Sequence, residues 1–150
     1  MKKVFIVCFF MMPFAFAFAQ KKDTITKDTT TNDSTEVFTV VQVPASFPGG
    51  LPGWSKYLSA NLNVDLGAQY VKIPKGQKEA RQIVQVQFIV DTLGNISNVQ
   101  AVNTKGIHPK LIKEAIRVIK EGPNWFPAMQ NGKKVMYRHS QTITWVVTEE

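Results

Sequence analysis

The segment Val84-Gln85-Val86-Gln87-Phe88-Ile89-Val90 narrows the folds open to this chain more than any other. Val84, Val86, Phe88 and Val90 alternate with Gln85 and Gln87, so a strand here covers a core with one face and meets water with the other. Asp91-Thr92-Leu93-Gly94-Asn95 follows. Gly94 takes positive φ without steric cost, so the stretch predicts a short loop closing an antiparallel hairpin. The return strand, residues 96–102, points Val99 and Ala101 to one side. Ile96 is out of phase with them, which allows a bulge.

The apolar face of that hairpin has to be covered, and two helical stretches can do it. Pro52 suits a first helical turn, and Trp54, Leu58 and Leu62 recur at i, i+4 and i+8 before a stop near Asn63. Pro109 opens a second helix whose buried stripe is Leu111, Ala115 and Val118, flanked by Ile112 and Ile119; Gly122-Pro123 ends it. Residues 64–80 read as an irregular connection broken by Gly67, Pro74 and Gly76. Residues 37–43 read as a strand ended by Pro44. Residues 135–147 read as a long closing strand with Val135, Tyr137, Ile143, Trp145 and Val147 on one face. The predicted fold is α+β, with two helices packed on one face of a three- to four-stranded antiparallel sheet.

The start of the chain reads as an address. Lys2 and Lys3 precede an apolar, Phe-rich run from Val4 to Phe18, and Ala17-Phe18-Ala19 offers the small residues a signal peptidase needs. Residues 1–19 are therefore read as a signal peptide, with Gln20 as the mature N-terminus. The competing reading is an uncleaved anchor, but the run falls short of the roughly 20 residues of a spanning helix and Pro13 interrupts it. Residues 20–35, rich in Thr, Asp and Lys, form a polar leader that cannot bury enough apolar surface to order itself. One domain is left, at residues 36–150.

Composition then excludes several kinds of chemistry. The only cysteine, Cys8, lies in the signal and lacks the small-residue pattern of a lipoprotein site, so the mature chain has no thiol for disulfides, metals or nucleophilic attack. The formal charge of +7 drops to +5 without Lys2 and Lys3. An exported chain of that charge without stacking motifs gives no reason to expect nucleic acid. His108 and His139 stand about 30 residues apart on different elements, without the neighbouring ligands that zinc needs. No G-x-S-x-G elbow or phosphate-binding glycine loop occurs. No cofactor, metal or catalytic group is expected. Lys72, Lys75, Lys78 and Arg81 read as a solvated loop or as a contact for acidic partners. Lys110, Lys113, Arg117 and Lys120 read as a solvated helix face paired with Glu114 and Glu121. Phe126 reads as core filling, with an exposed contact as the alternative.

Four motifs, in order, carry a resemblance: FPGG (Phe47–Gly50), VQVQFIVDTLGNIS (Val84–Ser97), HPKLIKEAIRVIKEG (His108–Gly122) and WFPAMQNGKKV (Trp125–Val135). Their order and spacing over roughly residues 44–147 resemble the C-terminal domain of the TonB family, in the form of its small single-domain members. The resemblance implies a periplasmic binding module without an active site, associated with TonB-dependent transport across the outer membrane. Such a domain captures an extended transporter segment by strand addition along a sheet edge. Carried onto this chain, it makes the last strand the expected edge, at Arg138, His139, Ser140, Gln141 and Thr142, with Tyr70, Lys72 and Lys75 as further partner contacts. The expected partner is a TonB-dependent outer-membrane transporter or another envelope protein, or a second copy in a homodimer.

Two departures from the family pattern stand out. Its Tyr-Pro pair after helix one is split here into Tyr70 and Pro74, in a longer insertion. A cleaved signal also leaves no inner-membrane helix, so the chain is expected in the periplasm, able to bind a transporter but not to pull on it. An uncleaved anchor makes it an energy transducer instead. Adaptor function toward another envelope partner, and a small secreted hydrolase built on His108 or His139, are the remaining alternatives.

Overall fold

The structure, a computed structural model, describes residues 2–6 and 36–149. The cleavage site, the polar leader and most of the signal therefore lie outside the described residues. In chain order the elements are β1 (Lys2–Ile6), β2 (Val37–Phe38), α1 (Gly50–Asn61), α2 (Asp65–Tyr70), β3 (Glu79–Val90), β4 (Ile96–Ala101), α3 (Pro109–Lys120), β5 (Ala128–Gln130) and β6 (Lys133–Glu149). The fold is α+β, as expected, with a mixed and more elaborate sheet.

β3 and β6 form the backbone of the sheet, antiparallel and in unbroken register from Glu79↔Thr148 to Val90↔Tyr137. The alternation read from the sequence sets its faces. Val84, Val86, Phe88 and Val90 are buried on one side, with Ile143, Trp145 and Val147 beside them on β6. β4 pairs with the other side of β3, and its register shifts between Gln87 and Ile89, where Asn98 takes φ +51°. The out-of-phase Ile96 reflects this bulge.

The helices close over the apolar face. Trp54 and Leu58 from α1, and Leu111, Ala115, Val118 and Ile119 from α3, are all buried there. His108 caps α3, its Nδ1 accepting from the Lys110 N–H at 3.3 Å. Glu114 ties α3 to the end of α1: its carboxylate accepts from the Asn63 N–H at 2.8 Å and from Arg117, whose Nη2 also donates to the Asn61 carbonyl at 2.7 Å. Glu114 is buried rather than part of a solvated helix face. Arg117 pairs with Glu121 as well.

Three further expectations need correction. Residues 64–80 are not all irregular, because Asp65–Tyr70 form a single short helix and β3 begins at Glu79. The strand expected over residues 37–43 shrinks to Val37–Phe38, which pairs with Met136 and Tyr137 in parallel. Val43 and Ser46 instead zip against Met129 and Phe126. Phe126 is not core: it is 59% exposed, while its neighbour Trp125 is buried. The Ser46–Phe126 bridge fixes the backbone here and sends only Trp125 inward.

Candidate functional site

The sequence makes β6 an edge strand, but the sheet order is β1-β6-β3-β4. One side of β6 is filled by β3. The other side carries β2 at Met136 and Tyr137, and β1 from Trp145 to Glu149. Between them, among the described residues, no strand pairs with the outer side of residues 138–144. β6 is thus interior at both ends and open only in the middle.

A cavity of about 490 Å³ adjoins this open stretch. Residues 139–142 form one wall, and Phe47, Leu51, Trp54 and Trp125 bring aromatic and apolar surface to the other. FPGG explains how Phe47 reaches that position. Gly49 and Gly50 take φ of +77° and +61°, consecutive values that side-chain-bearing residues rarely adopt. The turn closes with the Gly50 N–H donating to the Phe47 carbonyl at 2.8 Å, and α1 starts at once. Phe47 then meets Trp54 edge-on at 5.1 Å and Trp125 at 5.6 Å. Trp125 is held by Gly94, whose carbonyl accepts its N–H at 2.9 Å. Asp91 steadies that hairpin loop by accepting from the N–H groups of Leu93 and Asn95.

His139 lies inside this aromatic cluster, 5.3 Å from Phe88 and 4.7 Å from Trp125. Burial lowers its pKa below the ordinary value, while a hydrogen bond with Gln141 acts the other way, so the ring is neutral near pH 7. Two buried nitrogens of the cavity-lining residues, Trp54 Nε1 and His139 Nδ1, have no hydrogen-bond partner among the described residues. Leaving such a group unpaired costs about 1–3 kcal/mol, so orphans of this kind are few in folded proteins.

The residues singled out from the sequence fall in separate places. His139, Ser140, Gln141 and Thr142 line the cavity together. Arg138 borders the open edge, but its position in the strand alternation puts it on the opposite face from His139. Tyr70 and Lys72 line a different cavity, of about 410 Å³, with Gln77 and Arg81; Tyr70 also stacks on His108 at 3.8 Å. Lys75 lines neither cavity and is exposed. Sequence reasoning missed Phe47, Trp54 and Trp125 as cavity walls. The signal was present in the aromatics of FPGG and WFPA, each set beside residues that fix a turn.

His139 Nε2 faces Gln141, His108 caps its helix, and the Ser140 hydroxyl accepts from Gln85 Nε2 at 2.9 Å. Among the described residues no helix is long and apolar enough to cross a membrane.

The family described as Gram-negative bacterial TonB protein C-terminal matches residues 77–147, from the approach to β3 through most of β6. This segment belongs to the TonB C-terminal family. No curated protein and no solved structure matches the chain. The TonB C-terminal family consists of non-enzymatic protein-interaction domains, and a domain of this type is a periplasmic interaction module. Within the TonB match lie β3, β4, α3, β5 and the open stretch of β6. Phe47 and Trp54 lie outside it.

Proposed function

We propose that the chain binds an extended segment of a TonB-dependent outer-membrane transporter by strand addition to residues 138–144 of β6. The observation that carries this reading is the interrupted pairing of β6. A strand whose two ends are covered presents a bounded slot in which backbone N–H and C=O groups face outward at alternate residues. At about 3.3 Å per residue the slot spans roughly 23 Å, enough for one short peptide strand.

The energetics favour a weak, exchangeable contact. An added strand of that length forms on the order of seven backbone hydrogen bonds, each worth a net 0.5–1.5 kcal/mol. Ordering the peptide costs about 1–2 kcal/mol per residue. The two nearly cancel, so side chains entering the adjoining cavity have to supply the surplus. The polar run Arg138, Ser140 and Thr142 on the outer face keeps an unoccupied edge from pairing indiscriminately. Tyr70 and Lys72 line a separate cavity and Lys75 lines neither, so these three are assigned no direct contact with the segment.

Site-specific photocrosslinking tests the proposal in intact cells. A photoreactive residue at Ser140 or Thr142 is expected to capture an outer-membrane transporter, whereas one at Lys75 is not. Capture of a different envelope protein at positions 140 and 142 contradicts the transporter assignment. Equal capture from all three positions contradicts the slot.

A further inference from the structure

The slot on β6 has a counterpart on β3. Gln85 and Ile83 turn their backbone groups away from β6. The Gln85 carbonyl accepts from the Val102 N–H at 2.9 Å, and its N–H donates to Asn103 Oδ1 at 2.6 Å. The Ile83 carbonyl accepts from Asn103 Nδ2 at 3.0 Å. One side-chain amide thus stands in for the next residue of β4, and there the ladder stops. Backbone groups alternate in direction along a strand, so those of Arg81 and Glu79 point the same way as those of Ile83. Among the described residues, β4 pairs with β3 only from Val86 onward, and no strand pairs with the outer side of Glu79–Ile83. At about 3.3 Å per residue this edge is about 16 Å long.

We propose that the Glu79–Ile83 edge docks an acidic extended segment of a partner protein by strand addition, independently of the slot on β6. The edge already borders a groove. Ala80, Arg81 and Gln82 form one wall of the cavity of about 410 Å³, and Tyr70, Lys72 and Gly106 belong to the other. The Tyr70 ring is held there by its stack on His108.

Charge selects the segment. Residues 72–81 carry four cations, Lys72, Lys75, Lys78 and Arg81, against one carboxylate, Glu79. Arg81 and Glu79 meet at 3.0 Å with both side chains about half exposed, and an ion pair of that kind is weak and exchanges readily. Cations also guard open edges against aggregation. Here they repel the equivalent edge of a second copy, which carries the same four cations, and leave an acidic strand as the one that fits. Directly opposite residues of paired strands share a face. Val84 and Val86 hold the helix-covered face, so Arg81 and Ile83 lie on the other. The segment residue opposite Arg81 is therefore acidic. The residue opposite Ile83, which is 47% exposed, is apolar, and the two stand two positions apart.

Hydrogen exchange of the ¹⁵N-labelled full chain at low salt, followed by NMR, tests this edge. The probe is the blocked heptapeptide Thr-Glu-Thr-Val-Thr-Glu-Thr, with a carboxylate two positions to either side of the valine, so it fits in both directions. At saturation the Arg81 and Ile83 amides are expected to slow by about tenfold or more, while those of Gln82 and Val84, which face β6, barely change. Replacing both glutamates of the peptide by glutamine is expected to weaken binding about two- to fivefold, the effect of an exposed ion pair. Arg81→Gln is expected to remove most of that difference; if this variant does not fold, the two peptides on the native chain still decide the matter. Unchanged Arg81 and Ile83 amides at saturation overturn the edge, and equal affinity for the two peptides overturns the acidic preference. Protection that grows with chain concentration in the absence of peptide assigns the edge to a second copy and overturns the proposal. Protection confined to residues 138–144 overturns it too, while leaving the reading of β6 intact.

Discussion

The imidazole of His139 and the indole of Trp125 lie 4.7 Å apart, ring centre to ring centre, which sets a titratable group inside the aromatic cluster. Burial keeps its pKa under the ordinary 6.5 despite the opposing hydrogen bond with Gln141. The unfolded chain then takes up a proton that the folded chain refuses. Stability is fully present above the unfolded pKa and is lost as the pH falls from there through the depressed folded value. Thermal unfolding should show Tm falling between about pH 7 and 5, with a flatter profile for His139→Phe. Parallel profiles for the two proteins contradict this account.

Glu114 works in the opposite charge sense. Hydrogen bonds from Arg117 lead in lowering its pKa below the ordinary 4.5, against a smaller effect of burial, and the Asn63 N–H adds to the lowering. Its contribution is present above the unfolded pKa and lost as the pH falls through the folded one. Glu114→Ala should cost about 2–3 kcal/mol near pH 7, since it strands the Asn63 N–H and the guanidinium together. Urea midpoints at neutral pH and near pH 3 check this: the gap between native chain and variant should shrink in acid.

Gly94 and Gly132 separate two kinds of glycine cost. Both have positive φ, +89° and +73°. A Cβ at Gly94 falls 2.0 Å from the Trp125 carbonyl oxygen, whereas one at Gly132 meets nothing within 4 Å. Gly132→Ala should therefore cost only the left-handed backbone penalty of about 1–2 kcal/mol. Gly94→Ala must also push Trp125 out of the cluster, and its denaturation midpoint should fall well below that of Gly132→Ala.

Pairing between β1 and β6 gives a further test. Lys2–Ile6 cover β6 from Trp145 to Glu149, and these strand residues belong to the segment read as a signal. A chain beginning at Gln20 lacks that cover. Amide exchange at alternate positions of Trp145–Val147 should then be faster than in the full chain, and the slot would lengthen toward the C-terminus. Unchanged exchange contradicts a role for Lys2–Ile6 in protecting that side.

Much of the fold was legible because it rests on local periodicity. The alternation from Val84 to Val90, the stripe on α3 and the positive φ of Gly94 all follow from residues close in sequence. The short helix Asp65–Tyr70 was not legible, since six residues with Gly67 in the middle show no helical repeat. Nor could the sequence reveal that β6 is covered at both ends, because only the sheet brings Phe38 to Tyr137 at one end and Ile6 to Trp145 at the other. The candidate site divides the same way. Its polar wall, residues 139–142, interrupts an apolar strand and stands out. Its aromatic wall is assembled from Phe47, Trp54 and Trp125, whose separation along the chain gives no sign that they meet.

Amide hydrogen exchange of the full chain, with and without an extended peptide from the N-terminal segment of a TonB-dependent transporter, tests the docking slot most directly. Alternate amides within residues 138–144 should slow by about tenfold or more when the peptide saturates, while those already bonded to β3 barely change. A folded chain whose amides there exchange equally fast with and without the peptide would contradict strand addition at β6.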